Sequence, residues 1–294
     1  SEMCIRDSFT VVKLLICALG ARAYLKYLGI REWTARFGAL AMAFSGYFAF
    51  MVGFPSFVSA LAYVPLVLLG IEKTIAEGKI GYLVLGLFMI EVSCFLLLVP
   101  MCIWGVIYAL WRFFLTVRRR SGAQNVRAML LGVSGFALGL MLGMFMLLPS
   151  LRQSSLTGRA NSIGGAYLSC MLESLKSLDA ATFLSLLFEE VGDNPARELM
   201  PLISFLFPTA GFQTLPLLVP DSSSVYDAWT ASLYCYTPFI ILFFSSILIS
   251  IKERRFDHLI AILGGMFLLF TTFAYYFFFA FSGNGYGRWF FVLI

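Results

Sequence analysis

Glu91 is the only acid well inside a long apolar run, Ile80–Val117. Counted from Ile80 at 1.5 Å per residue, it lies about 16 Å up a helix, past the midplane of a hydrocarbon core about 30 Å thick. A charge at that depth costs on the order of 3 kcal/mol, so the side chain must face protein or water. Two roles stay open: a site carboxylate or proton relay, and a protonated or hydrogen-bonded acid near the outer mouth of a helical hairpin. A second candidate is the tail segment Ser282–Trp289, SGNGYGRW. Gly283, Gly285 and Gly287 permit close backbone approach, and Arg288 carries a planar fork that can grip a phosphate bidentately. Asn284 and Tyr286 add polar groups beside it, so all three are substrate-binding candidates. The alternative is an Arg288–Trp289 anchor at the membrane boundary. Arg152, with Arg159 after it, is the remaining outward cation that could meet an anionic head group; a solvated loop explains both as well.

Standard signals of soluble enzymes are missing. There is no GxxxxGK[ST] phosphate loop, no GxSxG and no HExxH, and the one histidine, His258, cannot serve a catalytic triad from the side on which it falls. The six cysteines include no CxxC pair, so no metal site is expected, and no cofactor. Cys170 falls in the long loop and Cys235 at its end, and their pairing stays open.

The elements that must position these residues are membrane helices. Of 294 residues, 60% are hydrophobic and only 13% charged, with a mean hydropathy of +0.89; this composition requires an all-α polytopic membrane protein. Residues 1–8 (SEMCIRDS) are polar and run abruptly into an apolar helix, and are expected to be a sequencing or translation artefact. Residues 9–148 are expected to form an N-terminal bundle of six crossings, residues 149–233 an extracytoplasmic loop, and residues 234–294 two more crossings with the start of a ninth, cut off at Ile294. The stretch Ala43–Lys73 organises the bundle: Gly53, Phe54 and Pro55 must turn between a crossing at Ala35–Val52 and a returning one at Ser56–Ala76. Ile80–Val117, read as one helix, would be about 57 Å long, nearly twice the hydrocarbon thickness. It is therefore expected to be a hairpin of two shortish helices breaking near Cys94–Pro100. Ala128–Leu148 is expected to cross outward and stop at Pro149, and Tyr234–Ile251 to re-enter.

Charge sets the orientation. Arg22, Lys26, Arg31, Arg36, Lys73, Lys79, Arg112, Arg118, Arg119, Arg120, Arg127, Lys252, Arg254 and Arg255 make up 14 of the 21 bases and fall in four short segments. That bias puts them in the cytoplasm, and it accounts for the net charge of +5 without nucleic acid as a partner. The loop 149–233 instead carries eight acids against four bases. Within it, Leu168, Met171, Leu172, Leu175 and Leu178 recur at helical spacing, as in an amphipathic helix lying on the membrane surface.

Several stretches resemble the YfhO-type bacterial membrane proteins: Ala43-Phe44-Ser45-Gly46-Tyr47-Phe48, then Phe54-Pro55, then Pro65-Leu66-Val67-Leu68-Leu69-Gly70-Ile71-Glu72. Leu147-Leu148-Pro149-Ser150-Leu151 and Tyr234-Cys235-Tyr236 are similar to further stretches of that family. Asn284-Gly285-Tyr286-Gly287-Arg288-Trp289-Phe290 is similar to its NG…Y…NRW segment, with Gly287 where an Asn is usual. The resemblance spans the chain in order from Phe9 to Ile294. It implies a GT-C-like integral membrane glycosyltransferase of the bacterial plasma membrane. Its partners would be a polyprenyl-phosphate-linked sugar, a cell-envelope polymer as acceptor, and membrane lipids. It also implies a catalytic acid in the first outer loop, after the first crossing and upstream of this chain's start, so no catalytic residue is assigned. Two other functions fit the same composition: a lipid or polymer transporter with Glu91 as coupling carboxylate, and a non-catalytic scaffold in an envelope assembly.

Overall fold

The computed structural model describes residues 2–45, 55–117, 120–156, 163–177, 179–188 and 237–254, with the positions 256, 259–260, 263–264 and 277. Regular structure among them is helical throughout. The chain divides into two compact units, Ser1–Phe44 with Met51–Ser154, and Ser45–Phe50 with Ser155–Ile294. The first unit holds α1 (Glu2–Tyr27), α2 (Glu32–Ala43), α3 (Pro55–Ala62), α4 (Val64–Glu77), α5 (Gly81–Ser93), α6 (Phe95–Val117) and all but the last two residues of α7 (Gly122–Leu156). The second holds α8 (Ile163–Lys176), α9 (Ala180–Phe188) and α10 (Thr237–Lys252).

α1 stops because Gly29 adopts φ +83°, a left-handed conformation that favours glycine. The N–H groups of Gly29 and Ile30 then return to the Lys26 and Leu25 carbonyls at 2.9 and 3.2 Å, the bonding pattern that closes many helix ends. α2 packs back on α1, burying Ala35, Ala39 and Ala43, small residues one turn apart. It ends at Ala43, with Phe44 as its cap. It is 12 residues, about 18 Å, long, and the rest of the crossing expected over Ala35–Val52, from residue 46 on, lies outside the described residues. The turn expected at Gly53–Phe54–Pro55 lies mostly outside the described residues, though α3 does begin at Pro55, where a proline fits.

The expected single helix Ser56–Ala76 is two helices. Pro65 has no N–H to return to the carbonyl four residues back and its ring crowds that carbonyl. The chain therefore tightens at Tyr63, whose N–H reaches the Ala60 carbonyl at 3.1 Å, and restarts as α4. The hairpin expected in Ile80–Val117 is present, and its break is a single extended residue, Cys94 (φ −163°, ψ 97°). Pro100 lies inside α6, not at the break. A second proline also fails to end its helix: α7 continues through Pro149 to Leu156. The expected boundary between bundle and loop at residue 149 is therefore helical.

Four stretches of the described residues are long and apolar enough to cross a membrane: Ser8–Tyr27, Val58–Glu77, Leu97–Val117 and Gly122–Pro149. The re-entering segment appears as α10, while most of residues 259–294, with the last expected crossings, lies outside the described residues. Large apolar side chains along α7, among them Leu130, Val133, Met141 and Phe145, are exposed, as expected for a surface whose solvent is lipid.

In the second unit α8 and α9 form a helical pair. Tyr167 and Met171 are buried against Phe183, Leu186 and Leu187, and the Tyr167 hydroxyl donates to the Leu186 carbonyl at 2.5 Å. Asp179 caps α9 by accepting from the Ala181 and Thr182 N–H groups, both at 3.2 Å. Its bonds to the Thr182 hydroxyl and N–H hold its carboxyl below the usual carboxylate range. The expected amphipathic helix is present, but the face turned to protein is Tyr167–Met171–Ser174, whereas Leu172 and Leu175 are exposed. Packing on α9 selected a face rotated from the leucine stripe.

Candidate functional site

Helices approach closely in the first unit wherever glycine removes a side chain. α4 and α5 run antiparallel, with Gly70 against the Leu83 backbone and Gly86 against Val67; a Cβ on Gly86 would stand 3.0 Å from the Val67 nitrogen. In a membrane, where lipid is as apolar as Leu, such small-residue contacts let backbones approach and gain dispersion energy. α7 then lies along α5 in parallel. Gly135, Gly139 and Gly143 meet Leu83, Leu87 and Glu91 in turn, each series stepping by four residues.

Glu91 is thus the last contact of a glycine seam. Its residue is 1% exposed, and a Cβ added at Gly143 would overlap its carboxyl group. Both carboxyl oxygens lack a hydrogen-bond partner among the described residues. Gly143 makes the room and Leu87 seals the turn below. One residue past the end of α5, Cys94 leaves helical geometry, so the carboxyl sits one turn from an opening in the backbone ladder. A group so placed can bind a proton, or a polar ligand that reaches it along that break. Burying it without either is costly.

The other candidates do not join it. Arg152 is exposed on α7, nine residues past Gly143, which is about 13 Å along the axis. Arg288, Asn284 and Tyr286 lie outside the described residues, as does Cys235. Cys17, Cys94, Cys102 and Cys170 are not disulfide-bonded.

The structure also holds a polar constellation that the sequence did not announce. Glu72 on α4, 5% exposed, receives Arg112 of α6 bidentately, through Nε to Oε1 and through Nη2 to Oε2 at 2.8 Å. The Tyr108 hydroxyl donates to Glu72 Oε1 at 2.5 Å. Its proton is thereby used, so Tyr24 on α1 donates to Tyr108 across 2.8 Å. Three helices are tied by one carboxylate. The signal available beforehand was the spacing of Tyr108 and Arg112, four residues apart on one helix face. The Gly135-xxx-Gly139-xxx-Gly143 spacing was equally visible.

Other bases gather at the same end. Arg22, Lys26 and Arg36 converge on Glu32, the last two at 3.0 Å each. Hydrogen bonds from Lys26 first, then Arg22 and Arg36, hold the Glu32 carboxyl down at about 2. Lys73 lies 4.0 Å from the Tyr82 ring centre, a cation–π contact. One end of the first unit is therefore basic, as the clustering of Lys and Arg in short segments required.

No match was found among curated proteins or solved structures. The family model described as bacterial membrane protein YfhO matches residues 8–214, well over half of the sequence. Apolar helices of spanning length, a basic end and this match agree, and the chain belongs to the YfhO family of bacterial membrane proteins.

Proposed function

We propose that the full-length protein is a GT-C-type membrane glycosyltransferase. It moves a sugar from a polyprenyl-phosphate donor to a cell-envelope polymer on the outer face of the bacterial plasma membrane. The observation that carries this reading is the series of family-like stretches from Ala43 to Phe290 in a chain whose family is established. A lipid-linked donor needs no soluble nucleotide site, which agrees with a sequence lacking a phosphate-cradling loop. In this reading the basic end faces the cytoplasm, residues 149–233 face outside, Arg288 grips the donor phosphate, and Asn284, Tyr286 and Arg152 line its approach. Glu91 borders the cavity from within the membrane.

A transporter is the second reading, and one observation favours it: a buried carboxyl without a partner among the described residues is the feature a proton-coupled carrier uses. Purified full-length protein in vesicles, given a polyprenyl-phosphate sugar and envelope polymer, separates the two. Donor-dependent incorporation of sugar is expected. Arg288→Ala should raise the donor concentration required by about ten- to a hundred-fold, the value of one charge-assisted hydrogen bond, with Arg288→Lys recovering part. Lipid or polymer movement driven by a proton gradient, abolished by Glu91→Gln and without transfer, would replace the glycosyltransferase reading. In a cysteine-free background, a cysteine at Ser223 should react with a membrane-impermeant thiol reagent on intact cells, and one at Ser121 should not.

A further inference from the structure

A cleft of about 210 Å³ opens at the basic end, between the last turn of α4 and the first turns of α7. Arg120, Gln124 and Arg127 line one wall, Glu77 and Gly78 the other, and Leu131 contributes to an apolar floor. Its construction is specific. Arg120 is held in place by donating from Nη1 to the Ile75 carbonyl at 2.5 Å, which leaves its other N–H groups for a ligand. Ser121 and Gln124 exchange bonds reciprocally: the Gln124 N–H donates to Ser121 Oγ (3.4 Å) and the Ser121 N–H to Gln124 Oε1 (3.3 Å). That exchange fixes the start of α7 and turns the amide NH2 of Gln124 elsewhere. The Arg127 guanidinium comes over Gly78, whose left-handed φ of +72° ends α4. The one acid among the described lining residues, Glu77, is already paired with Lys79 at 2.8 Å.

We propose that this cleft binds the phosphate of an anionic phospholipid in the membrane leaflet at the basic end. Two guanidiniums and an amide suit a phosphate. The volume is on the order of seven water volumes, room for a phosphate with its glycerol carbons. Among the described residues no aromatic face lines the cleft, so none of them offers a nucleotide base a surface to stack on. The position selects lipid over a free phosphate. Of the spanning stretches, Val58–Glu77 ends here and Gly122–Pro149 begins here, which puts the cationic rim at head-group depth and the Leu131 floor at the start of the acyl chains. The site is independent of the donor chemistry proposed above, and its failure would leave that reading untouched.

The test is native mass spectrometry of the purified full-length protein in mild detergent, titrated with phosphatidylglycerol and with phosphatidylcholine of the same acyl chains. Retention of phosphatidylglycerol over phosphatidylcholine by ten-fold or more is expected. Arg127→Gln should remove much of that preference, and Arg120→Gln with Arg127→Gln should remove it entirely. Because Arg120 also holds Ile75, the single Arg127→Gln variant keeps the test meaningful if the double variant folds poorly. Arg127→Lys should retain most of the preference, and Lys252→Gln, outside the cleft, all of it. Equal retention of the two lipids, or a preference unchanged in Arg127→Gln, would overturn the site. Binding of glycerol 3-phosphate that depends on Arg127, without any lipid preference, would overturn the lipid assignment and give the cleft to a soluble phosphate ester.

Discussion

Glu72 and Glu91 are the two buried glutamates among the described residues of the first unit, on neighbouring antiparallel helices, and they are handled in opposite ways. Glu72 is 5% exposed and both of its oxygens are bonded, Oε1 to Tyr108 and Arg112 and Oε2 to Arg112. Glu91 is 1% exposed and neither oxygen meets a donor among the described residues. A buried carboxylate with a bidentate guanidinium and a hydroxyl is a joint, and its removal is felt as stability. A buried carboxyl set against a bare glycine has no such bonds to lose. Stability gives no account of it, which is what makes Glu91 a candidate site residue.

The largest test of that contrast is at Arg112. Arg112→Met strands Glu72 as an uncompensated buried charge, and the protein should lose about 3–5 kcal/mol, read by thermal or denaturant unfolding in detergent. The double variant Glu72→Met with Arg112→Met should recover most of the loss. A single variant that unfolds like wild type would mean Glu72 is no joint. Next is Gly143→Val, which drives a side chain into the Glu91 carboxyl and should cost about 1–3 kcal/mol by overpacking. Combining it with Glu91→Ala should restore part of that, a coupling of at least about 0.5 kcal/mol. Additive effects would place Glu91 away from the seam.

Glu91→Gln keeps shape and removes only the acid. Stability should stay within about 0.5 kcal/mol of wild type, since no partner is lost, while transfer or transport by the full protein falls. A large stability loss with full activity would make Glu91 a second Glu72. The smallest effect concerns Glu32, an exposed counterpart to both. Its folded carboxyl titrates at about 2, below the unfolded value near 4.5, because Lys26, Arg22 and Arg36 favour the charged form. The stability it contributes is therefore present above about 4.5 and lost as pH falls through about 2. The melting difference between wild type and Glu32→Gln should shrink over that window and vanish below it; a difference that grew on acidification would reverse the sign.

What the sequence made legible follows from which signals are local. Long apolar runs, the break near Cys94 and the basic end all depend on neighbours along the chain or on summed composition. The prolines were misjudged in both directions. Pro65 broke a helix expected to be whole, whereas Pro100 and Pro149 sit inside helices, because tolerance of a missing N–H depends on what packs around it. Glu91 was visible as a lone acid, but its seating on Gly143 was not, since that contact joins residues 52 apart in sequence. Glu72 was noticed only as the last residue of a family-like stretch. Its partners Arg112, Tyr108 and Tyr24 come from two other helices, and no local pattern names them.

The one-residue joint at Cys94 has a consequence for the membrane itself. α5 has 13 residues, so from its basic end it rises only about 20 Å before the chain turns back. A hydrocarbon layer about 30 Å thick exceeds that rise by some 10 Å, whereas α6, which leaves the same joint, is 23 residues or about 34 Å long, and α7 continues for three further turns after Gly143. The bundle is therefore shorter on one flank than the layer it occupies. At that low point the turn interrupts the regular backbone bonding, and the Glu91 carboxyl lies one turn beneath. Hydrocarbon tails are poor company for such groups. The recess is better filled by water or by polar parts of a ligand, so the shortness of α5 brings the aqueous boundary down toward a buried acid that no described residue answers.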